Sequence, residues 1–328
     1  MMEKVIQAIR KHKKFLITAH INPEGDAIGC QLAMKELLKR LGKIAFILDN
    51  DPVPEHYKFL PGASDISNRL DRVPDFDAAV VLDCPTLKRI GRVNELLTED
   101  KTVINIDHHI SNEKFGDVRW VDPEASSAGE MVYLLFKKFS IKLSRDAALQ
   151  LYIAILTDTG SFNYDNTTSQ THRVVGELLE YGLKPAAVSE DVYERRSAMD
   201  ISFLGLVLST IKVNKTGEVA HLEITKKMLK TTGADAAKAE GFVNYARSID
   251  GVRVAVIFKE DLKKPGIINV SFRSKGDADV NKIASAFGGG GHVKASGCVI
   301  AGALPEVKTK VLAKIEETLV NGQNHCNR

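Results

Sequence analysis

The chain has 328 residues, of which 44% are hydrophobic and 27% charged, a composition typical of globular rather than disordered proteins. Its 45 basic and 42 acidic residues leave a formal charge of +3, too small to hold a long nucleic acid through bulk electrostatics. The length favours two domains over a single core.

The cysteines and the apolar runs bear on the compartment. The four cysteines form no CxxC pair, which fits a reducing cytoplasm better than a disulfide framework. The first stretch, MMEKVIQAIRKHKKFLIT, carries charges throughout and lacks the apolar centre of a signal peptide. No apolar run approaches the roughly 20 residues of a membrane span. We therefore expect a cytoplasmic protein with no membrane partner.

The first part of the chain alternates short apolar runs with helical patterns. Strands are predicted for FLITAH from Phe15, KIAFILD from Lys43, DAAVVLD from Asp77 and TVINID from Thr102. Between and after them lie the helical patterns DAIGCQLAMKELLKRLG, SAGEMVYLLFKKF and SRDAALQLYIAILTD. This alternation predicts an α/β fold for residues 1–185, with a parallel sheet and helices on both faces.

The pattern changes after residue 185. Residues 186–212 are helical and are interpreted as a connector. In residues 213–328, the strand patterns EVAHLEIT, VRVAVIFKE and IINVSFRS precede a last helix, PEVKTKVLAKIEETLV. We interpret residues 213–328 as a smaller α/β domain with a mixed sheet.

Acids and histidines stand where the predicted elements of the first domain end. They occur in HINPEGDAIG (His20, Glu24, Asp26), LDCP (Asp83), NIDHH (Asp107, His108, His109) and ILTDTG (Asp158). Because ligand sites in open α/β sheets lie beyond the carboxyl ends of the strands, we expect these segments to share one cleft.

Charge balance then predicts a metal centre. Glu24, Asp26, Asp83 and Asp158 bring four negative charges, and neighbouring carboxylates do not all stay ionised without compensation. No Lys or Arg is interleaved in these motifs. Two divalent cations would supply the charge, and imidazole among the carboxylates favours Mn²⁺ over Mg²⁺. Such a pair can promote in-line attack on phosphorus.

Each residue also has a structural explanation when taken singly. Asp26 could be a helix N-cap and Asp158 a helix-end acid. The four motifs together favour the metal site. The adjacent histidines fit it if His108 ligates, His109 faces the substrate and Asp107 orients an imidazole.

HINPEGDAIG, LDCP, NIDHHISN and TDTGSF resemble, in this order, the four motifs of the DHH phosphoesterase superfamily. The later FGGGGHVKASG resembles its DHHA1 domain, and the resemblance covers about residues 5–320. It is strongest to the bacterial nanoRNase type, bifunctional oligoribonucleases that also dephosphorylate 3′-phosphoadenosine 5′-phosphate (pAp). The resemblance thus implies a two-metal phosphodiesterase and phosphomonoesterase whose partners are very short RNA and nucleotide bisphosphates, not long nucleic acid.

The resemblance also implies roles for the motif residues, with two Mn²⁺ ions per active site and Mg²⁺ or Co²⁺ as substitutes. The implied ligands are His20, Glu24 and Asp83 for one ion, and Asp26, Asp83, His108 and Asp158 for the other. His109 would polarise the scissile phosphate, and Asp107 would support the histidines. The family usually has Asp at the position of Glu24, which puts the metal spacing and affinity in question.

The second domain is expected to bind substrate across a cleft between the domains. Four glycines, Gly288, Gly289, Gly290 and Gly291, followed by His292, can bring backbone N–H groups close to an anion. Arg273 offers a planar fork for phosphate, with Ser274 beside it. Alone, the glycines also fit a flexible turn, and Arg273 an exposed strand-end residue.

Other functions stay open at this point. Linear or cyclic dinucleotides, of the pApA or c-di-AMP type, could be hydrolysed by the same metal chemistry. A protein of another class, a non-catalytic nucleotide-binding module, is favoured only by Glu24. A homodimer is an expectation that rests on the resemblance alone.

Overall fold

The computed structural model describes residues 1–195, 197–234, 239 and 241–326, with side chains described through residue 319. The chain divides into two compact units, Met1–Arg195 and Arg196–Arg328. The stretch interpreted as a connector, residues 186–212, is divided between these two units.

The first unit contains a parallel sheet of six strands. Its strand order is β3-β2-β1-β4-β5-β6, and each neighbouring pair is parallel. The strands are β1 (Lys14–Thr18), β2 (Ile44–Leu48), β3 (Ile66–Ser67), β4 (Ala78–Leu82), β5 (Thr102–Asp107) and β6 (Val118–Val121). The four predicted strands are confirmed, whereas β3 and β6 were missed because they are too short to show a pattern.

Alternate residues of these strands pack on opposite faces of the sheet. Phe15 and Ile17 join the large core formed with the α-helices, while Leu16 faces the other side. On that other side the 3₁₀ helix Leu87–Leu96 covers the sheet with Ile90. The α-helices of the unit are α1 (Met2–Lys11), α2 (Gly25–Arg40), α3 (Ala128–Lys138), α4 (Arg145–Asp158), α5 (Ser169–Leu179) and α6 (Pro185–Tyr193).

Helices α2 and α4 approach each other closely through glycine. A Cβ atom on Gly29 would lie 2.3 Å from the carbonyl oxygen of Gln150, and one on Gly25 would lie 2.4 Å from Thr157 Oγ1. The two glycines are four residues apart and therefore lie on one face of α2. This packing matters for the site, because α2 carries Asp26 in its first turn and α4 ends at Asp158.

A buried carboxylate ties β1, β2 and α2 together. Asp49, which follows β2, is fully buried, and its Oδ1 accepts hydrogen bonds from Thr18 Oγ1 (3.3 Å), the Ala19 amide (3.2 Å) and Gln31 Nε2 (2.6 Å). Its Oδ2 has no hydrogen-bond partner among the described residues. Burial raises the pKa of Asp49 to about 6. The network fixes the backbone just before His20.

The second unit has a mixed six-stranded sheet in the order β11-β12-β10-β9-β8-β7. Strands β8 and β9 are parallel and the other neighbouring pairs antiparallel. The strands are β7 (Lys212–Val213), β8 (Val219–Ile224), β9 (Val254–Glu260), β10 (Ile267–Ser274), β11 (Gly290–Gly291) and β12 (Ala295–Ala301). The helices are α7 (Ala198–Leu208), α8 (Lys226–Thr232), α9 (Phe242–Arg247), α10 (Val280–Ser285) and α11 (Leu304–Cys326).

Both faces of this second sheet are covered by helices. Helices α10 and α11 pack on the face that includes Val254 and Phe258, and α7, α8 and α9 pack on the face that includes Ala255 and Ile257. The predicted fold class, a parallel α/β domain with a smaller mixed-sheet α/β domain, is confirmed. None of the described helices is long and apolar enough to cross a membrane.

The close approach of α2 and α4 predicts a large effect of Gly29→Ala. A new methyl group would overlap a backbone carbonyl oxygen, which cannot rotate away, so we expect the free energy of unfolding to fall by about 1–3 kcal/mol. Urea unfolding followed by the fluorescence of Trp120, the single tryptophan, reports on this unit. Gly176→Ala in α5 is the matched control, because no atom lies within 4 Å of a Cβ atom there. Equal stability of the Gly29→Ala variant and the parent would refute the packing argument.

Asp49 predicts a pH-dependent stability. Its pKa is about 6 in the folded chain against about 3.9 when unfolded, so the folded state binds the proton more tightly. The free energy of unfolding should therefore fall as pH rises from about 4 to above 6, by an upper bound of about 3 kcal/mol. Asp49→Asn should remove this component, and the exposed Asp146→Asn should not. Identical pH profiles for Asp49→Asn and the parent, in urea titrations followed through Trp120, would contradict the prediction.

Candidate metal centre

Three neighbouring parallel strands deliver the motif residues to one edge of the first sheet. Strands β1, β4 and β5 pair in register, Thr18 with Val81 and Leu82 with Ile106. His20 follows β1, and Asp83 follows β4. Asp107 ends β5 and is followed directly by the two histidines. The sequence places these side chains together because the strands are parallel and adjacent.

Asp83 lies at the centre of the group. Its Oδ2 is 3.4 Å from His20 Nε2, and its Oδ1 is 3.6 Å from both His108 Nε2 and His109 Nδ1. Its backbone has a φ of 50°, in the left-handed region that non-glycine residues rarely adopt. Strain of this kind persists where the surrounding structure imposes it, and it is concentrated at functional sites. Among the described residues, no Lys or Arg forms an ion pair with Asp83.

His108 joins Asp83 to two acids from the helices. Its Nε2 is 3.9 Å from Asp26 Oδ2 and 3.5 Å from Asp158 Oδ2. Its Nδ1 lies 3.3 Å from the Ala125 carbonyl oxygen, an acceptor that requires the proton on Nδ1. With the proton on Nδ1, the Nε2 lone pair faces the three carboxylates, as a metal ligand requires.

Asp26 also holds the start of α3. Its two carboxylate oxygens accept hydrogen bonds from the amides of Ala128 (2.7 Å) and Gly129 (2.8 Å). These amides belong to the first turn of α3, where backbone donors are otherwise unsatisfied. These bonds fix the Asp26 side chain, although Ala128 lies 102 residues away in sequence. The N-terminal end of α3 also stabilises the negative charge of Asp26.

The pKa shifts show that this cluster requires positive charge. Burial raises the pKa of Asp26 well above its usual range, and the charges of Asp83 and Asp158 raise it further. Burial likewise raises the pKa of Asp158 to about 6. Burial opposes the charged form of Asp83 too, but the facing imidazoles of His108 and His20 outweigh it and hold its pKa well below the usual range. Compensation must come from bound protons or from cations.

The donor atoms fit a metal ion in both type and spacing. Asp26, Asp83 and His108 each offer one ligand atom, and the three atoms lie within 4.8 Å of one another. Donors that bind one ion at about 2.0–2.2 Å are themselves about 3.0–3.5 Å apart, close to the separations seen here. Carboxylate and imidazole ligands without thiolate suit Mn²⁺, Mg²⁺ or related hard and borderline ions. The first unit therefore contains a group that could hold a metal.

His109 belongs to a second arrangement beside the cluster. Its Nδ1 donates to Asp107 Oδ1 at 2.7 Å, and Asn112 Nδ2 donates to Asp107 Oδ2 at 2.6 Å. Burial opposes the charge of Asp107, but these hydrogen bonds overcome it and lower its pKa. Asn112 Nδ2 also reaches Asn105 Oδ1 (2.9 Å) and the Cys84 carbonyl oxygen (3.4 Å). Asp107, itself held by Asn112, thus fixes the orientation of the His109 ring.

Glu24 stands at the N-terminus of α2, two residues before Asp26. It is the exposed N-cap of α2, its side chain makes no capping hydrogen bond, and it is absent from the groups of described residues that could hold a metal. Its charge still contributes to raising the pKa of Asp158. The ligand role inferred for Glu24 remains a prediction.

The residues predicted to bind substrate in the second unit are largely engaged within that unit. Ser274 is buried, and its hydroxyl donates to the Ala278 carbonyl oxygen at 2.7 Å. Arg273 is half-buried on β10 and donates to the Phe272 carbonyl oxygen.

The glycine run has a packing role. A Cβ atom on Gly289 would lie 2.1 Å from the Gly297 carbonyl oxygen, and one on Gly291 would lie 2.6 Å from the Ala295 carbonyl oxygen. Gly290 and Gly291 form β11, and the amides of Gly288 and Gly289 donate to carbonyl oxygens at the end of α10. His292 follows in the turn to β12, where its amide donates to the Ala295 carbonyl oxygen at 2.7 Å. Phosphate binding by this loop remains a prediction.

Two polar residues near the centre were not found from the sequence. Asp49 follows β2 in the run FILDND, which has the same strand-then-acid pattern as the other motifs and could have revealed it. Arg89 Nη2 lies 3.4 Å from His20 Nδ1. It follows Asp83 by six residues, in the 3₁₀ segment that is interrupted at Gly91, and no periodic sequence pattern predicts its contact with His20.

Comparison with known proteins identifies the family of this chain. The model of the DHH family, N-terminal domain, matches residues 14–155, and that of the DHHA1 domain matches residues 218–321. A bifunctional oligoribonuclease and PAP phosphatase NrnA of Thermus thermophilus is 34% identical over 92% of this chain and 89% of its own length. The protein of the same name from Bacillus subtilis is 29% identical over 92% of this chain and 93% of its own.

A solved structure extends the likeness to the fold. An exopolyphosphatase-related protein from Bacteroides fragilis superposes with a TM-score of 0.87 at 30% identity, covering 96% of this chain and 95% of that one. Both family models match in the expected order, and the relatives match over most of their length. The chain therefore belongs to the DHH phosphoesterase family, with a DHH domain followed by a DHHA1 domain.

Proposed function

We propose that this protein removes mononucleotides from very short oligoribonucleotides and dephosphorylates pAp. The observation that supports this proposal most directly is the position of Asp83. It has a strained backbone and lies among three imidazoles at the meeting point of four DHH-type motifs. The relatives that share these motifs over most of their length are named bifunctional oligoribonucleases and PAP phosphatases. The modest net charge fits short RNA and nucleotide bisphosphates as partners.

We infer that the site would hold two divalent ions, Mn²⁺ in preference to Mg²⁺ or Co²⁺, with Asp83 among the ligands of both. In support, the two oxygens of Asp83 face different histidines, Oδ2 toward His20 and Oδ1 toward His108. The ions would be held by His20, Glu24 and Asp83, and by Asp26, Asp83, His108 and Asp158. When bound, they would supply Lewis acidity toward the phosphate.

His109 is the residue that we assign to the scissile phosphate. Its Nδ1 is engaged by Asp107, so the chemistry would use Nε2. An imidazole that donates to a buried carboxylate keeps one orientation and one tautomer. Asp107 therefore acts as a positioning residue in this proposal.

The second unit would bind the nucleotide portion of the substrate. Arg273 supports this role, since no carboxylate among the described residues forms an ion pair with it. Ser274 supports it less, because its hydroxyl is already used internally. The glycine loop with His292 remains part of the proposal, as do a cytoplasmic location and a homodimer.

Metal binding can be tested without turnover. Because Mn²⁺ would bind the folded chain and not the unfolded one, a saturating excess of about 100 times the Kd should add about 2.7 kcal/mol to the free energy of unfolding. Asp83→Asn should lose this increment while keeping the left-handed backbone, which asparagine tolerates. The exposed Asp146→Asn in α4 is the matched control and should keep it. An equal Mn²⁺ effect in the Asp83→Asn variant would show that the ions bind elsewhere.

Activity provides the second test. With Mn²⁺, the parent should release phosphate from pAp and mononucleotides from a 5′-labelled trinucleotide, and Asp83→Asn should lower both rates by about 10³-fold or more. Asp146→Asn should leave them unchanged. Turnover of linear or cyclic dinucleotides alone would favour the dinucleotide alternative. A parent that binds Mn²⁺ and nucleotides but hydrolyses none of these substrates would be a binding module.

A further inference from the structure

Arg89 is held beside the metal centre by its backbone. It lies in the 3₁₀ helix Leu87–Leu96, and its carbonyl oxygen accepts a hydrogen bond of 2.7 Å from the Ile21 amide. Its own amide donates to the Thr86 carbonyl oxygen at 3.0 Å. The loop that carries His20 and the turn that carries Arg89 are thus joined directly.

The turn beyond Arg89 is also fixed. Gly91 has a φ of 63°, and a Cβ atom there would lie 2.5 Å from the side chain of Asn50. Asn50 Oδ1 in turn accepts a hydrogen bond of 3.0 Å from the Arg92 amide. These contacts restrict where the Arg89 side chain can reach before any ligand is present.

The guanidinium of Arg89 lies against a partner that cannot accept its protons. Its Nη2 is 3.4 Å from His20 Nδ1. That nitrogen is already 2.7 Å from the Ile21 carbonyl oxygen, which can only accept a hydrogen bond, so Nδ1 must carry the proton. Two donors therefore face each other across the 3.4 Å contact.

No other acceptor in the described part of the chain satisfies this group. No carboxylate of the described residues lies within 4.0 Å of the Arg89 guanidinium, whereas the exposed Arg69 pairs with Asp71 nearby in sequence. Arg89 is half-buried, with five N–H donors in a planar fork. This half-buried cation lies one imidazole away from Asp83 with no carboxylate beside it, so it is placed to receive an anion from outside the chain.

We propose that Arg89 binds the phosphate of the substrate or product at the metal centre, by donating to a non-bridging phosphate oxygen on the His20 side. The planar fork and permanent charge of arginine suit this contact better than lysine does. The inference rests on the proposed function, because it supposes that the anion is the phosphate of a nucleotide. Arg89 would add to the motif residues a positive charge that belongs to the protein itself and is present with or without Mn²⁺.

The test measures binding of AMP to the full-length, Mn²⁺-loaded protein by titration calorimetry. Since a hydrogen bond to a charged group contributes about 1.5–3 kcal/mol, Arg89→Ala should weaken AMP binding by about 10- to 100-fold. Arg89→Lys should restore part of the affinity. The matched control is Arg92→Ala, an exposed arginine three residues further along the same segment, which should bind AMP like the parent. Adenosine, which lacks the phosphate, should not distinguish Arg89→Ala from the parent.

Several outcomes would overturn the inference. One is unchanged AMP affinity in Arg89→Ala, and another is an absence of AMP binding by the Mn²⁺-loaded parent. A third is loss of the Mn²⁺-dependent stabilisation in Arg89→Ala, which would mean that Arg89 only positions His20. Because none of these readouts needs turnover, a parent that fails to hydrolyse pAp would refute the proposed function and leave this test standing.

Discussion

The placement of buried negative charge governs the first unit of this protein. Asp26, Asp83 and Asp158 meet where burial makes ionised carboxylates costly, and imidazoles from two strand-end loops face them. Such a cluster is stable only with bound protons or cations, so its chemistry follows from its electrostatics. Fold and site depend on the same requirement, because the parallel strands and the ends of α2 and α4 must converge for the charges to be shared.

Glycines at the helix contacts allow the helices to converge on the acid cluster. Gly25 and Gly29 let α2 lie against α4. A Cβ atom on Gly129 of α3 would lie 2.5 Å from the Cβ atom of Ala154 in α4. This close packing brings the beginnings of α2 and α3 and the end of α4 to one point. Asp26 then accepts hydrogen bonds from the first turn of α3 while facing His108. Gly25, Gly29 and Gly129 carry no functional group, yet the close packing that they allow sets the distances between the acids.

Sequence reasoning succeeded where the pattern and the physics are local. The apolar runs before His20, Asp83 and Asp107 predicted β1, β4 and β5, and parallel pairing then predicted their shared edge. It failed where a residue acts through tertiary contacts. Arg89 approaches His20 from a 3₁₀ segment that is interrupted at Gly91, and the two short strands β3 and β6 leave no periodic signal. For Gly288–Gly291, sequence alone did not reveal the close contacts of Gly289 and Gly291 with β12.

Asn112 ties together segments that could otherwise move separately. Its amide group reaches Asp107 Oδ2, Asn105 Oδ1 and the Cys84 carbonyl oxygen, and so joins the loops that follow β4 and β5. Loops at ligand sites commonly open at low energetic cost, and their amides then exchange rapidly with solvent deuterium. Here the contacts of Asn112 join the two loops, so we expect their amides to exchange slowly and together.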